Sequence, residues 1–444
     1  MTPSRSAFAK RNFSLAWPLA LNALLMQSML LVDTLLVAPL GVRPLASMGI
    51  ATTIIALVLG LQFALASGTQ LIVGRAKGSQ DKAALTKAFK SGLLINLTTA
   101  MFLWLCILFV GPSLIAVLID DPALIELTSA YLSIARYLIL ITAFTQLCTS
   151  FFNGCGETKV PLKGYLIELP FNIVVSFVLI HGIGEYTGLG ATGAAWGSLT
   201  AVGLRMFYLF YCLKKSSHLE SNFRPSNNLL TDCRTHFKEI LPIAANFMVL
   251  SLGMSVYQLL FAKLDLYSYA AITLIYPWIR MGSLIITGWA HASAINISQI
   301  IGQKQSDEIP LFVNVSIRLA MLIACFLSLL FFALSQSMTL IYPNIAPESH
   351  LALAAIAPIY ILLPLVRTYN TVAGHSMRSL GQSLKVLRIH FINQWLISLP
   401  ICALMVLVFK LSVFWVFAMI AIEDVLKAIP FRRLMKSTLI KLEN

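Results

Sequence analysis

Asp33 stands in the stretch MLLVDTLLV, residues 29–37, with no arginine or lysine within nine residues on either side. A carboxylate in an apolar run is costly to keep charged, because burial penalises the ionised form unless hydrogen bonds or a cation offset it. Such a group can bind and release a proton. Asn22, Met26 and Asp33 recur at spacings of four and seven and so share one helix face. Methionine suits a surface that must accept many apolar shapes.

Further polar residues recur at helical spacing. Glu168, Asn172 and Ser176 fall at i, i+4 and i+8, and Thr142, Gln146, Thr149 and Asn153 form a similar stripe. A third stripe runs through Thr273, Tyr276, Arg280, Ser283, Thr287 and His291, and Arg367 lies close to Tyr360, Asn370 and Thr371. Ionisable residues inside apolar spans mark solute and ion pathways. Ser, Thr and Asn there also serve as glue between helices. His291, His375 and Arg136 read as structural, and Glu423, Asp424 and Lys427 as a solvated or paired cluster.

The sequence contains no GxxxxGK[ST], HExxH or GxSxG motif, so it offers neither a P-loop, a zincin site nor a nucleophile elbow. The expectation is a non-enzyme without a cofactor; if it transports actively, the energy comes from an ion gradient or a separate subunit. The seven cysteines are scattered without a CxxC pair, and read as apolar filler with no metal role.

These residues need membrane-spanning elements to position them. Of the 444 residues, 58% are hydrophobic and only 11% charged, against about 25% charged in an ordinary soluble domain. Apolar stretches of membrane-spanning length lie at about 14–38, 44–73, 88–112, 123–150, 160–182, 188–213, 239–262, 268–300, 311–341, 350–377, 386–409 and 411–431. They lack period-2 alternation, so they read as twelve transmembrane helices. The run after the first 13 residues is too long for a signal-peptide core and reads as a retained helix. Pro18, Pro277, Pro358 and Pro364 are the natural kink points.

With both termini placed in the cytoplasm, the cytoplasmic segments hold 25 of the 32 Lys and Arg residues and the outer loops three (Arg43, Lys263, Lys410). That asymmetry sets the orientation and accounts for the net charge of +14 without nucleic acid. In this frame Asp33 lies roughly 9 Å inside the outer end of the first span.

The two halves repeat at an offset of about 224. WPLALN at 17–22 matches LPIAAN at 241–246, LIVGRAKGSQDKA at 71–83 echoes ISQIIGQKQSDEI at 297–309, and FFNGCGETKV at 151–160 echoes SMRSLGQSLKV at 376–386. Each half holds six spans, so the repeat is parallel. The expected architecture is an all-α integral membrane protein of two six-helix lobes around a central cleft, the layout of an alternating-access carrier. The expected divisions are an N-lobe over 1–213, a cytoplasmic linker over 214–238 and a C-lobe over 239–444 with a basic tail.

The motifs resemble those of the multidrug and toxic compound extrusion (MATE) family. LGVRPLASMGIATTI at 40–54 is similar to that family's first outer loop and second helix. NGCGETKVP at 153–161 resembles its GxGDTKxP loop with Glu157 in place of Asp, and FNIVVSFVLIHGIG at 171–184 its NIxLDPxLIxGxG helix. The resemblance covers nearly the whole chain, and the first-helix acid points to the DinF-like branch. It implies a multi-pass bacterial inner-membrane antiporter, monomeric, exporting small-molecule drugs or dyes, with lipids as its other partners. It implies protonation of Asp33 and bending of the first helix at a hinge at Pro18. Asn172 resembles the family's span-five Asn, Arg280 the branch's span-eight basic residue and Met26 its helix-one methionine. With Asn22, Ser176, Glu168, Gln146, Asn153, Tyr276 and Arg367, singled out above by position and spacing, they are the expected solute-lining residues. The family's span-five Asp falls at Ser176, and spans seven and ten carry no acid facing the cleft, so the C-lobe sodium site of the NorM-like branch is missing. H+ is thus the expected coupling ion, with Na+ as the alternative. Arg136, Arg280 and Arg367 keep open a second function, a flippase for lipid-linked precursors. No filter motif or appended soluble domain supports a channel or a receptor.

Overall fold

The computed structural model describes residues 5–183, 186–219 and 228–443. Each expected span falls on a helix, in order: α1 (Arg5–Val37), α2 (Val42–Gly78), α3 (Lys82–Leu118), α4 (Pro122–Gly154), α5 (Lys159–His181), α6 (Ala191–Lys215), α7 (Leu229–Phe261), α8 (Leu266–Gly302), α9 (Ile309–Gln336), α10 (Pro347–Ser379), α11 (Ser383–Val408) and α12 (Val413–Glu443). Ten are long and apolar enough to cross a membrane by length and composition alone. The other two, α6 and α12, carry Arg205 and the Glu423–Asp424–Lys427 group, which are buried inside the protein and paired there. The chain is a multi-pass membrane protein of twelve transmembrane helices.

Helix starts follow local chemistry. Asp81, Asp121 and Asp265 stand before α3, α4 and α8, and their carboxylates accept the N–H groups of Ala84, Ala123 and Ser268, each at 3.0 Å. Pro18, Pro277, Pro358 and Pro364 lie inside helices that continue through them. Each removes one backbone donor without ending its helix. Two features had no counterpart in the sequence reading. Gly182–Ile183 and Tyr186–Thr187 pair as a short antiparallel ribbon between α5 and α6. α11 contains two π-helical stretches, Ile392–Ser398 and Leu404–Val408.

The repeat extends to backbone detail. Gly156 and Gly381, the paired glycines of the two halves, both take positive φ, +87° and +76°. Gln80 and Lys304, 224 apart, share the rarer left-handed conformation at φ 58° and 59°.

By internal contacts the chain divides into Leu21–Ala244 and a second unit made of Met1–Ala20 with Ala245–Asn444. Both boundaries fall inside helices, at repeat-equivalent positions two residues after Pro18 and Pro242. The first turns of α1 therefore group with the second half of the sequence, and those of α7 with the first half. Of the expected linker over 214–238, residues 220–227 lie outside the described residues.

In the unit Leu21–Ala244, α2, α3, α4 and α6 enclose an apolar core around Met48, Ile55, Tyr131 and Ile139. Gly193 and Gly197 let α6 press onto α5. A Cβ at Gly197 would lie 2.1 Å from the Ser176 hydroxyl, and one at Gly193 2.4 Å from the Leu179 carbonyl oxygen. Small residues one turn apart thus bring two backbones together. In the other unit, Tyr257, Ile275, Ile356, Tyr360 and Phe417 centre the core. There Leu15, Ala16 and Leu19 of α1 pack with Trp289 of α8.

Candidate functional site

Asp33 is 6% exposed, and hydroxyl groups hold its carboxylate. Ser198 of α6 donates to Oδ2 at 2.6 Å and Ser176 of α5 to Oδ1 at 3.3 Å. Behind them, the Asn172 amide donates to the Ser176 and Ser198 hydroxyl oxygens at 3.3 and 3.4 Å. The amide thereby turns both hydroxyl hydrogens toward the carboxylate. The close α5–α6 approach at Gly197 makes this possible, since Ser198 adjoins that glycine and Ser176 faces it. Tyr131, buried on α4, lies within electrostatic reach of Asp33. Among the described residues, no ion pair includes Asp33.

The structure thus brings together Asp33, Asn172 and Ser176 as their spacing suggested, and adds Ser198. Asn22 is also buried, and neither end of its amide has a partner among the described residues. Met26 is 43% exposed, so the α1 face shared with Asn22 and Asp33 is not evenly buried. Gln146 and Asn153 are buried on α4. Glu168 forms an ion pair with Arg205 of α6 at 2.7 Å, both groups being buried. Arg205 also lies over the Tyr165 ring at 4.2 Å and donates to Thr145 Oγ1 at 3.4 Å.

The second unit holds its own acids. Asp424 accepts from Arg367 Nε at 2.9 Å, and Tyr257 donates to Glu423 Oε2 at 2.6 Å. Lys427 pairs with the other oxygen of Glu423. The cluster on α12 is therefore paired and buried; the solvated alternative does not hold. α12 thus supplies two carboxylates, to Tyr257 on α7 and Arg367 on α10. Tyr276 lies within electrostatic reach of Arg280 and Arg367. Arg280 is exposed and enters no ion pair among the described residues. Among those residues no group of three or more His, Cys, Asp or Glu is arranged to hold a metal ion.

Sequence reasoning missed Ser198, and passed over Arg205 as the partner of Glu168. The signal for Ser198 was its place beside Gly197 in the small-residue run ATGAAWGS, where a helix must be approached closely.

Comparison with known proteins bears on the fold and the family likeness. The MatE family model matches residues 18–178. The "Uncharacterized transporter YisQ" of Bacillus subtilis (strain 168) is 23% identical over 429 residues, covering 95% of this chain and 93% of its own. The "Probable multidrug resistance protein NorM" of Bacillus anthracis is 22% identical over 406 residues, covering 90% and 89%. The solved outward-facing conformation of a multidrug resistance MATE family transporter superposes with a TM-score of 0.88 at 18% identity, over 98% of this chain and 96% of that one. That likeness shows the fold, while the family model and the relatives along the chain's length speak to descent. The chain thus matches the MatE family model over residues 18–178 and has the fold of MATE transporters, which are membrane transporters rather than enzymes.

Proposed function

We propose that this chain is a secondary active multidrug efflux carrier of the DinF-like branch, exchanging protons for cationic or amphipathic drugs with Asp33 as its protonation switch. The relatives named multidrug resistance protein support the drug-export part of this reading. The observation that carries the proton part is that neutral groups, the Ser198 and Ser176 hydroxyls, hold Asp33, with no ion pair among the described residues.

Both hydroxyls donate to the charged carboxylate, and hydrogen bonds to a charged group each contribute about 1.5–3 kcal/mol. A protonated acid is itself a donor on one oxygen. Ser198 or Ser176 would then have to accept that hydrogen while Asn172 also donates to it, and its own hydroxyl hydrogen would need a new acceptor. Protonation therefore rearranges the bonds that tie α1 to α5 and α6. A conformational equilibrium shifts only as far as its states differ in affinity for a ligand, and here the proton supplies the difference. The response is expected in α1, where Pro18 removes one backbone hydrogen bond and the unit boundary follows two residues later. Solute-lining roles are assigned to Asn22, Met26, Asn172, Ser176, Gln146, Asn153 and Glu168 within the unit of Asp33 and, for the second unit taken by itself, to Tyr276, Arg280 and Arg367.

The carrier sits in the bacterial inner membrane as a monomer with both termini in the cytoplasm. The pairing of Arg367 with Asp424 removes one of the cations a flippase for diphosphate lipids would want, which favours the drug carrier. Dye efflux from reconstituted vesicles under separately imposed proton and sodium gradients tests the proposal. Proton-driven efflux is expected; efflux driven by sodium alone would replace H+ with Na+, and lipid flipping without dye efflux would reverse the assignment.

A further inference from the structure

In the unit that contains Ala245–Asn444, three helices bring one arginine and three histidines together. His291 of α8 and His375 of α10 stack at 4.4 Å between ring centroids. Arg378, one turn after His375, donates from Nε to the Gly374 carbonyl at 3.3 Å, a bond within its own helix. His390 of α11 lies against the same glycine, its Nε2 3.9 Å from where a Gly374 Cβ would stand, and packs edge-on to Phe431 of α12 at 5.3 Å. The charge of Arg378 acts on all three histidines. Lys427 also faces His390, but its charge is matched by Glu423.

Among the described residues no salt bridge includes Arg378, His375 or His390. The buried Nδ1 of His390 has no hydrogen-bond partner there. Arg378, His375 and His390 are nevertheless only half-buried, which leaves part of each side chain accessible. A guanidinium in a low-dielectric setting calls for a counter-charge. The planar fork of arginine matches an oxyanion in two-point geometry, and imidazole N–H groups add donors beside it. Phe431 and Met377 supply an apolar wall next to these donors.

We propose that Arg378, His375 and His390, backed by His291, bind an oxyanion: a phosphate or carboxylate group carried by an anionic lipid or by a soluble amphipath. Basic pockets between membrane helices bind lipid headgroups through this chemistry. The site shares no residue with the Asp33 site, and its occupation requires no transport.

Binding measured on purified full-length protein in neutral-lipid nanodiscs tests this. The probes are inorganic phosphate, octyl phosphate and octanoate in solution, and phosphatidylglycerol mixed into the disc, each read by the rise in unfolding temperature and by equilibrium titration. At least one probe should bind wild type. Arg378→Gln should weaken that binding roughly tenfold to a hundredfold, the loss of one charge-assisted hydrogen-bonded contact. His390→Gln should weaken it less, and Arg433→Gln, an exposed cation on α12 outside the cluster, should leave it unchanged. Response to phosphatidylglycerol alone assigns the site to lipid, and response to a soluble probe assigns it to a solute. If Arg378→Gln does not fold, Arg378→Lys and His390→Gln take its place in the comparison. The proposal is overturned if no probe binds wild type. It is equally overturned if the cluster variants bind as wild type does, or if Arg433→Gln loses as much affinity as they do.

Discussion

Asp33 and the α12 carboxylates are all buried in membrane-spanning helices, yet their partners differ in kind. Glu423 and Asp424 face Lys427 and Arg367, fixed cations that match each negative charge. Asp33 faces Ser176 and Ser198, neutral groups that can orient a carboxylate but cannot balance it. A paired acid that takes up a proton strands its cation, and an unmatched buried charge costs about 3–5 kcal/mol. An acid held by hydroxyls leaves no charge unmatched when it is protonated; its donors reorient to new partners. The first arrangement locks helices together, and the second can alternate. Glu168 with Arg205 shows the locked type within the same unit as Asp33.

The largest contrast is functional. Asp33→Asn should abolish proton-driven dye efflux while the protein still reaches the membrane. The double variant Glu423→Gln/Lys427→Gln should keep that efflux within severalfold of wild type. Loss of efflux in the double variant, with normal expression and folding, would erase the distinction between the two sets of acids.

The single variant Lys427→Gln sharpens the comparison through stability. It leaves Glu423 with a tyrosine donor but no cation, and should destabilise by about 3–5 kcal/mol in a thermal or denaturant unfolding series. Adding Glu423→Gln should recover most of that loss. Equal stability of the single and double variants would mean that the pair is not an electrostatic lock.

A smaller effect is expected at the support of the Asp33 site. Gly197→Ala places a methyl group against the Ser176 hydroxyl and backbone. Overpacking of this kind costs about 1–3 kcal/mol. It should also impair efflux more than Gly203→Ala on the same helix, where a Cβ meets nothing within 4 Å.

The smallest is a control at the α8 start. The Ser268 hydrogen bonds hold the Asp265 carboxyl below the usual carboxylate range. Its folded-state value is thus depressed, so its contribution to stability is present above the ordinary carboxylate range and fades as the pH falls through the folded value. Asp265→Ala should cost about 0.5–2 kcal/mol near neutral pH, and the gap to wild type should close in acid. A gap that widens in acid would contradict the capping role.

The first residue questioned, Asp33, could be read because a lone acid in an apolar run is conspicuous. Asn172 and Ser176 could be read because one helical turn separates them. The twelve spans were legible from hydropathy, and the repeat from its loop motifs. Ser198 was not, because a hydroxyl in a Gly- and Ala-rich helix carries no periodic signal, and its role depends on how closely α5 approaches. The pairing of Glu168 with Arg205 spans 37 positions and two helices, a distance at which spacing says nothing. The division after Ala20 and Ala244 was hidden for another reason: the sequence marks loops, whereas these boundaries fall within continuous helices.

Proton release on solute binding tests the central claim most directly. Purified wild-type carrier in weakly buffered solution should release protons when a cationic dye is added, in proportion to dye bound, and Asp33→Asn should bind dye without releasing any. Undiminished release from Asp33→Asn would place the exchanged proton elsewhere and contradict the account.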